Sequence, residues 1–327
     1  MFEWLFGKPF EPAKDIPSLS GKVILVTGGT SISHLIRWFQ ANNVEGNVGL
    51  GKETIVQLAK HEPKEIFLAA RTPSKAEAAI KDIKKAVPNG NVSYLKLDLS
   101  SLASVKQAAD EFKSRSDRLD ILINNAGIMA VPFSMTEDRY EIQFGTCHMG
   151  HALLTKLLLP TLLKTAEEPG ADVRVVNLSS EGHNMAPVGN LIYNQAELEQ
   201  WGTWRRYGQA KLANIYHARE LQRRYPSITA TSVHPGIIIT DLYNASGESS
   251  IIMRTAFGAM RRVLKDVHYG AKNQLWAATA SKEEVRRSYY FTPIGSSNGG
   301  SFWMARKPQL AEQLWEWTEK EFERHGY

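Results

Sequence analysis

The stretch Lys22-Val-Ile-Leu-Val-Thr27 is an uninterrupted apolar run that ends in Gly28-Gly29. A run of this kind predicts a strand that is buried on both faces, as the strands of parallel sheets are. Similar runs recur along the chain at Glu65–Ala70, Val92–Leu97, Leu119–Ile123, Val173–Leu178 and Ile228–Val233. The chain is therefore predicted to contain at least six buried strands.

Helical patterns separate these strands. They lie at Lys52–Lys60, Lys75–Ala86, Ser104–Ser114, Thr136–Leu158 and Tyr207–Arg224. The alternation predicts right-handed βαβ units and an α/β fold with a doubly wound, Rossmann-like parallel sheet. A length of 327 residues would allow two domains, but we find no repeat or linker. We therefore predict a single domain over residues 19–327, with residues 1–18 as an N-terminal extension.

Composition narrows the class of protein. Hydrophobic residues make up 43% of the chain and charged residues 22%, which is typical of a soluble globular protein. The net charge of +5 is small and spread out, so we expect no nucleic-acid partner. Cys147 is the single cysteine, which excludes an internal disulfide and favours a reducing, cytoplasmic location. We find no apolar stretch long enough for a signal peptide or a membrane span, so we predict neither.

Glycines that follow a buried strand and precede a helix suit a dinucleotide, because the backbone can approach the pyrophosphate at the helix N-terminus. Here the first strand ends in Thr27-Gly28-Gly29, and the helix opens after Asn47-Val48-Gly49-Leu50-Gly51. Residues 30–46 separate the two halves of the motif, and Gly46 could take the place of Gly29. Lengthening a loop from roughly 4 to 21 residues costs only about 1.5 kcal/mol in closure entropy, so the fold should survive.

Two explanations of the insertion are open. Either residues 30–46 bulge outward and leave Gly49 and Gly51 in place, or they are a gene-model artefact such as an unremoved intron. We favour the artefact as a hypothesis. Sequencing the transcript across codons 29 to 47 decides between the two explanations. A continuous coding message would contradict the artefact hypothesis.

Arg71 ends the second strand, twenty residues after Gly51. A carboxylate at this place binds a ribose 2′-hydroxyl and selects NAD, whereas an arginine suits the 2′-phosphate of NADP. No acidic residue stands beside Arg71, so we predict NADP rather than NAD. The alternative is that Arg71 is an ordinary solvated charge.

Tyr207-Gly-Gln-Ala-Lys211 places a phenol and an amine one helical turn apart. A fixed cation stabilises a phenolate, so we expect Lys211 to lower the pKa of Tyr207 and make it a general acid or base. Alone the pattern is weak, because chance produces it often. Upstream, the fifth strand ends in Ser179-Ser180, at the sheet edge where such folds hold ligands. Ser180 could donate a hydrogen bond to a substrate oxygen, while Ser179 is more simply a turn residue.

Five motifs, which follow one another along the chain in the family's order, resemble the short-chain dehydrogenase/reductase family. The remaining two are Asn124-Asn125-Ala126-Gly127 and His234-Pro235-Gly236-Ile-Ile-Ile-Thr240, each of which alone could be a turn. The resemblance covers roughly residues 19–317. Further phrases resemble the retinol-dehydrogenase-like and WW-domain-oxidoreductase-like branch, namely Leu97–Leu102, Phe144-Gly145-Thr146, Gly150-His151 and Leu314–Trp317.

The resemblance implies a role for each matching residue. Tyr207 is implied as the general acid/base, Lys211 as the ligand of the nicotinamide ribose, and Ser180 as the group that orients the substrate carbonyl. The implied cofactor-binding positions are Gly28, Gly49, Leu50, Gly51, Arg71, Asp98, Leu99, Asn125, Ala126, Gly127, Tyr207, Lys211, Ile238 and Thr240. Among these, Asp98 and Leu99 would border the adenine, and Ile238 and Thr240 would contact the nicotinamide end.

One departure from the family lies at Cys147, where relatives usually carry an asparagine that supports a proton-relay water. A thiol does not replace an amide's donor and acceptor, so we predict slower proton delivery with cofactor binding retained. A nucleophilic role for Cys147 is disfavoured. His148 and His151 are spaced to share a metal, but no third ligand is apparent, so packing is the simpler role and we predict no metal site.

We predict an oxidoreductase that moves a hydride between a nicotinamide cofactor and a carbonyl or alcohol carbon. Ile251–Val267 is a basic amphipathic segment that either covers an apolar substrate pocket or lies on a membrane surface. Gln309–Phe322 is an amphipathic helix that packs on the domain or contacts a second subunit, so a homodimer is possible. The alternative function is a catalytically weak binding or scaffold protein, suggested by the interrupted loop and Cys147.

Overall fold

The computed structural model describes residues 9–28, 49–236, 266–297 and 303–327. In these residues one parallel sheet has the strand order β3-β2-β1-β4-β5-β6-β7. Its strands are β1 Val23–Thr27, β2 Glu65–Ala70, β3 Val92–Lys96, β4 Ile121–Asn124, β5 Val173–Leu178, β6 Ile228–Val233 and β7 Tyr290–Phe291. The order reverses direction between β1 and β4, so the predicted doubly wound parallel sheet is confirmed.

Helices cover both faces of the sheet. They are α1 Pro12–Asp15, α2 Leu50–Ala59, α3 Pro73–Ala86, α4 Leu102–Arg115, α5 Ile142–Phe144, α6 Gly150–Ala166, α7 Thr203–Arg224, α8 Val267–Thr279, α9 Lys282–Arg286 and α10 Pro308–Arg324. A π-helical turn, Gly145–Met149, joins α5 to α6. The helices shield strands whose side chains alternate between two cores, which explains why the strand sequences are continuously apolar.

The two cores follow the period of two along each strand. Leu25 and Leu122 belong to the core beneath α4, α6 and α7. Ile24 and Ile121, one residue earlier in each strand, belong to the core beneath α2, α3 and α8. All five residues of β1 are buried, so this strand has no solvent-facing side.

The predicted strand bounds match exactly for β2, β5 and β6 and differ by one or two residues at an end for β1, β3 and β4, whereas β7 was not predicted. The helix predicted from Thr136 is wrong at its start, because α5 begins only at Ile142. Thr136 accepts a hydrogen bond from the Tyr140 amide through its hydroxyl (3.1 Å), and Arg139 adopts a positive φ of 66°. This turn is incompatible with a continuous helix.

The carboxyl ends of β1, β4, β5 and β6 meet at one edge of the sheet, the edge where ligands bind in folds of this class. The Thr27 hydroxyl at the end of β1 accepts hydrogen bonds from the amides of Asn125 and Ala126, each at 3.0 Å. The segment that follows β4 is thereby fixed against β1.

Candidate active site

The two halves of the glycine motif lie in direct contact. A Cβ placed on Gly51 would lie 2.4 Å from the Gly28 carbonyl oxygen, and a Cβ on Gly28 would lie 2.7 Å from Ala126 Cα. Gly28 also has a positive φ of 76°, which glycine adopts without strain. The Asn125 side-chain amide donates to the carbonyls of Thr27 (2.8 Å) and Gly28 (3.2 Å). These three backbone segments therefore form a cradle from which side chains are excluded.

Helix α2 begins at this cradle. Its N-cap is Gly49, which is in an extended conformation and has no side chain with which to cap the helix. The first amides of a helix lack intrahelical partners and favour an anion, and here the first turn of the helix lies against Gly28. This arrangement fits the pyrophosphate of a dinucleotide, and the binding of that group by Gly49, Leu50 and Gly51 stays a prediction.

The residues predicted for the adenosine side follow the next two strands. Arg71 comes directly after β2 and is exposed. Asp98 follows β3 and accepts a hydrogen bond from the Ser100 amide (3.0 Å). Leu99 is buried, and its backbone approaches Gly150 closely. A Cβ on Gly150 would lie only 2.4 Å from the Leu99 carbonyl oxygen. All of them belong to the same edge of the sheet as the glycine cradle.

The structure brings Ser180, Tyr207 and Lys211 together. Ser180 follows β5, is half-buried and hydrogen-bonds to Tyr207, while its hydroxyl accepts from the Gly182 amide (3.0 Å). A Cβ on Gly182 would lie 2.8 Å from the Tyr207 ring, so the ring rests directly on this loop. Lys211 Nζ lies 5.6 Å from the centre of the same ring.

Burial dominates the electrostatics of this cluster, contrary to the expectation from the spacing. Burial raises the pKa of Tyr207, and the hydrogen bond from Ser180 lowers it only in part. The Lys211 amine donates to the Leu178 carbonyl (3.1 Å) rather than to the phenol, and burial lowers its own pKa. The prediction that Lys211 depresses the pKa of Tyr207 is therefore not met by the chain alone. In this arrangement the phenol keeps its proton.

Buried asparagine side chains position this cluster, and they were not predicted from the sequence. The Asn214 side chain donates to the Leu178 carbonyl (2.9 Å), the same oxygen that Lys211 contacts. Asn177 on β5 donates to the Asn214 carbonyl (3.3 Å). Asn214 lies seven residues after Tyr207 on α7, so its position on the same helix face was the available signal. Ser179 donates to the Lys211 carbonyl (2.8 Å) and thus anchors α7 to β5.

Both histidines of the π-helical region act as core hydrogen-bonding residues. Burial lowers the pKa of His148 and of His151 to about 3, so both are neutral. His151 bridges the Thr27 hydroxyl (2.8 Å) and the Cys147 carbonyl (3.1 Å), and His148 contacts Asn214 (3.3 Å). Within the described residues, no group of three side chains is arranged to hold a metal ion.

Cys147 lies in the π-helical turn and is fully buried. Its thiol donates to the Ile128 carbonyl (3.3 Å) and accepts from the Ile128 amide (3.4 Å). A Cβ on Gly127 would lie 3.4 Å from both the Cys147 sulfur and the Lys211 amine, so the three groups meet at one point. The sulfur thus stands beside the lysine, where the family resemblance implies an asparagine.

Two predicted positions, Ile238 and Thr240, lie outside the described residues, as do residues 30–46 and nearly all of Ile251–Val267. Asn125, Ala126 and Gly127 lie at the cradle, and their role in lining the cofactor cleft stays a prediction. In the part of the chain that the structure covers, no helix is both long and apolar enough to cross a membrane.

A doubly wound sheet with a glycine cradle and a Ser–Tyr–Lys cluster at one edge defines an NAD(P)-dependent oxidoreductase. The family model described as short chain dehydrogenase matches residues 44–250. This chain belongs to the short-chain dehydrogenase/reductase family, whose members interconvert carbonyls and alcohols.

Relatives match over nearly the whole length. The short-chain dehydrogenase/reductase drtF of Aspergillus calidoustus is 37% identical over 321 residues, which cover 94% of this chain and 95% of the relative. Retinol dehydrogenase 12 of Mus musculus is 33% identical over 303 residues, covering 91% and 85%. A crystal structure of an uncharacterized protein from Mycobacterium paratuberculosis is similar with a TM-score of 0.69 and 28% identity, covering 96% and 97%. The predicted family and its retinol-dehydrogenase-like branch are confirmed.

Replacing Cys147 by asparagine should raise turnover. An amide offers a stronger donor and acceptor than a thiol beside Lys211, whereas the glycine cradle is untouched. We expect kcat to rise and the Kd for NADPH to stay the same in steady-state and fluorescence measurements. Cys147→Ser is the control, because serine is close to cysteine in size and its hydroxyl reaches less far than the amide of asparagine. Unchanged turnover in Cys147→Asn would contradict the idea that the thiol limits proton delivery.

Proposed function

We propose that this chain is an NADP-dependent oxidoreductase that interconverts an apolar carbonyl compound and its alcohol, with Tyr207 as the proton donor and acceptor. The observation that carries the proposal is the meeting of Ser180, Tyr207 and Lys211 at the sheet edge that also carries the glycine cradle. Ser180 orients the substrate oxygen, and Lys211 binds the nicotinamide ribose. The cofactor, when bound, supplies or accepts the hydride.

The chain's own residues would hold the cofactor at the places predicted from the sequence. Gly28 and Gly49–Gly51 would hold the pyrophosphate, and Asn125–Gly127 would line the cleft. Arg71 would bind the 2′-phosphate, and Asp98 and Leu99 would border the adenine. We also propose that residues 19–327 are one domain preceded by an extension, that the protein is cytoplasmic, and that it can form a homodimer.

The protonation state of Tyr207 favours carbonyl reduction as the direction of chemistry. Reduction leaves negative charge on the substrate oxygen, which must then receive a proton. Because burial raises the pKa of Tyr207, its phenol carries that proton at neutral pH. The Ser180 hydroxyl lies beside the phenol and can stabilise the same oxygen.

An apolar wall beside Tyr207 supports an apolar substrate. Met129 and Ala130 are buried against Tyr207, and Trp204 packs edge-on to its ring at 6.3 Å. The name of the mouse relative, retinol dehydrogenase 12, points to an apolar alcohol for that protein. A substrate with a charge near its carbonyl would lose hydration against this wall without a compensating partner.

Replacing Tyr207 by phenylalanine tests the proposed chemistry. Removing the hydroxyl removes the proton donor, so reduction of an apolar aldehyde such as decanal by NADPH should fall by at least about a hundredfold. NADPH should still bind, as measured by its fluorescence. In the wild-type enzyme, reduction should stay level through neutral pH and decline only above about pH 10, because the raised pKa keeps the phenol protonated. Full activity in Tyr207→Phe would disprove the proposal.

Arg71 should determine the choice between NADPH and NADH. Arg71→Ala removes a charge-assisted contact to the 2′-phosphate, so the Kd for NADPH should rise by about 10- to 100-fold. The Kd for NADH should change little, since that cofactor lacks the phosphate. Lys81→Ala, which removes an exposed cation from α3, is the matched control. If Arg71→Ala and the wild type bind NADPH with equal affinity, Arg71 is an ordinary solvated charge.

Deleting residues 30–46 should tighten cofactor binding. Gly28 and Gly51 are already in contact, so a short loop can join the two halves and present its amides to the pyrophosphate. The family match begins at residue 44 and so omits β1, the central strand, which indicates that the insertion interrupts the family pattern. We expect a lower Kd for NADPH in the deletion variant, by fluorescence titration. Weaker binding would show that the inserted residues belong to the site.

The same measurements decide the alternative, a catalytically weak binding or scaffold protein. The interrupted loop and Cys147 are the observations that favour it. A wild-type protein that neither binds NADPH nor reduces decanal would support the scaffold. Tight binding with turnover supports the enzyme.

A further inference from the structure

A buried ion pair stands immediately before the catalytic tyrosine. Glu141 is completely buried and Arg206 is 5% exposed, and Arg206 Nε donates to Glu141 Oε1 at 3.2 Å. A buried ion pair is weak evidence for stability, because the cost of removing two charges from water offsets their attraction. Its contribution is better sought in the segments that it holds in place.

The carboxylate of Glu141 organises the start of the helix that carries Cys147. Its Oε2 accepts hydrogen bonds from the backbone amides of Gln143 (3.0 Å) and Phe144 (2.8 Å), and it thereby caps α5. The Glu141 amide in turn donates to the Gln195 side chain (3.2 Å). A single carboxylate therefore links Arg206 to the π-helical segment beside Lys211.

The guanidinium of Arg206 ties the start of α7 to the segment that follows β4. It donates to the carbonyls of Trp201 and Val131, the latter at 3.2 Å. The Thr203 hydroxyl donates to the same Val131 oxygen at 2.8 Å. Phe133 lies beneath the guanidinium at 5.6 Å.

Gln143 completes the arrangement. Its side-chain oxygen accepts from the Ala130 amide (2.7 Å), and its nitrogen donates to the Thr203 carbonyl (3.1 Å). Ala130 has a positive φ of 52°, which an alanine adopts only when its surroundings hold it there. Because Met129 and Ala130 pack against Tyr207, the conformation of the Ala130 backbone also determines the surface against which the Tyr207 ring lies.

We infer that Glu141, Gln143 and Arg206 form a positioning clamp for Tyr207. The clamp fixes the residue before Tyr207 in sequence and the wall that contacts its ring. It thereby holds the phenol within hydrogen-bond reach of Ser180. None of the three residues is proposed to touch substrate or cofactor. The inference depends on the proposed catalytic role of Tyr207.

Glu141→Gln tests the clamp, because it keeps the shape of the side chain and removes its charge. Misplacement of a catalytic group by a fraction of an ångström to an ångström is costly, so kcat should fall by about 10- to 100-fold. The Kd for NADPH should stay unchanged, because the glycine cradle does not depend on the clamp. The deuterium isotope effect on kcat with 4-deuterated NADPH should increase, because the chemical step becomes slower than product release.

Asp120→Asn is the matched control. Asp120 is also completely buried, pairs with an arginine (Arg118 Nε, 2.8 Å) and accepts from a backbone amide (Val23, 2.9 Å). It directly precedes β4, at the opposite edge of the sheet from Tyr207. We expect Asp120→Asn to lower Tm as Glu141→Gln does, but to leave kcat and the isotope effect unchanged.

A second variant covers the case in which Glu141→Gln does not fold. Gln143→Met releases the Ala130 amide and the Thr203 carbonyl without disturbing a charge, and it should also lower kcat and raise the isotope effect. If the Glu141 and Gln143 variants lose only stability, as Asp120→Asn does, the clamp has no positioning role and the inference is wrong. Tyr207→Phe, assayed alongside with decanal, separates the two failures. If that variant remains active, the proposed function fails instead.

Discussion

The close approach of three backbone segments at the end of strand β1 is the constraint on which the rest of the site depends. Gly28, Gly51 and Ala126 meet so tightly that a Cβ on either glycine would lie within 2.8 Å of a neighbouring atom. The Asn125 amide binds two carbonyls of this junction and holds it closed. Since helix α2 starts there, its first amides lie at the same edge of the sheet as Ser180, Tyr207 and Lys211. The glycine cradle and the cluster of Ser180, Tyr207 and Lys211 thus lie at one edge of the sheet.

Burial is the second determinant of the chemistry. Tyr207 and Lys211 are both almost completely buried, so each is driven towards its neutral form. The chain compensates with dipoles rather than charges, through the Leu178 carbonyl on the amine and the Ser180 hydroxyl on the phenol. Fixed dipoles in a site that excludes water need little reorganisation during reaction. A protonated phenol beside a serine hydroxyl suits the proposed delivery of a proton to a developing oxyanion.

Much of the fold could be predicted because its determinants are local. The central strands are continuously apolar, and this pattern alone gave the exact bounds of β5. Strand β7 has only two residues and exists through its pairing with β6, so no local pattern announces it. The helix predicted from Thr136 begins later because Arg139 takes a left-handed conformation within a turn, which hydrophobic spacing does not record.

The site, like the fold, has features that local sequence patterns predict and others that depend on the assembled structure. Tyr207 and Lys211 are four residues apart, and a helix is enough to bring them onto one face. The pKa of Tyr207 was mispredicted because it depends on how deeply α7 is buried, which the spacing does not reveal. The pairing of Glu141 with Arg206 joins residues 65 positions apart and exists only after the sheet has assembled. The interrupted glycine loop follows the same logic: closure entropy grows slowly with loop length, so the fold tolerates added residues. Presenting amides to a phosphate depends on position to within a fraction of an ångström, so we expect an insertion there to weaken cofactor binding more than it destabilises the fold.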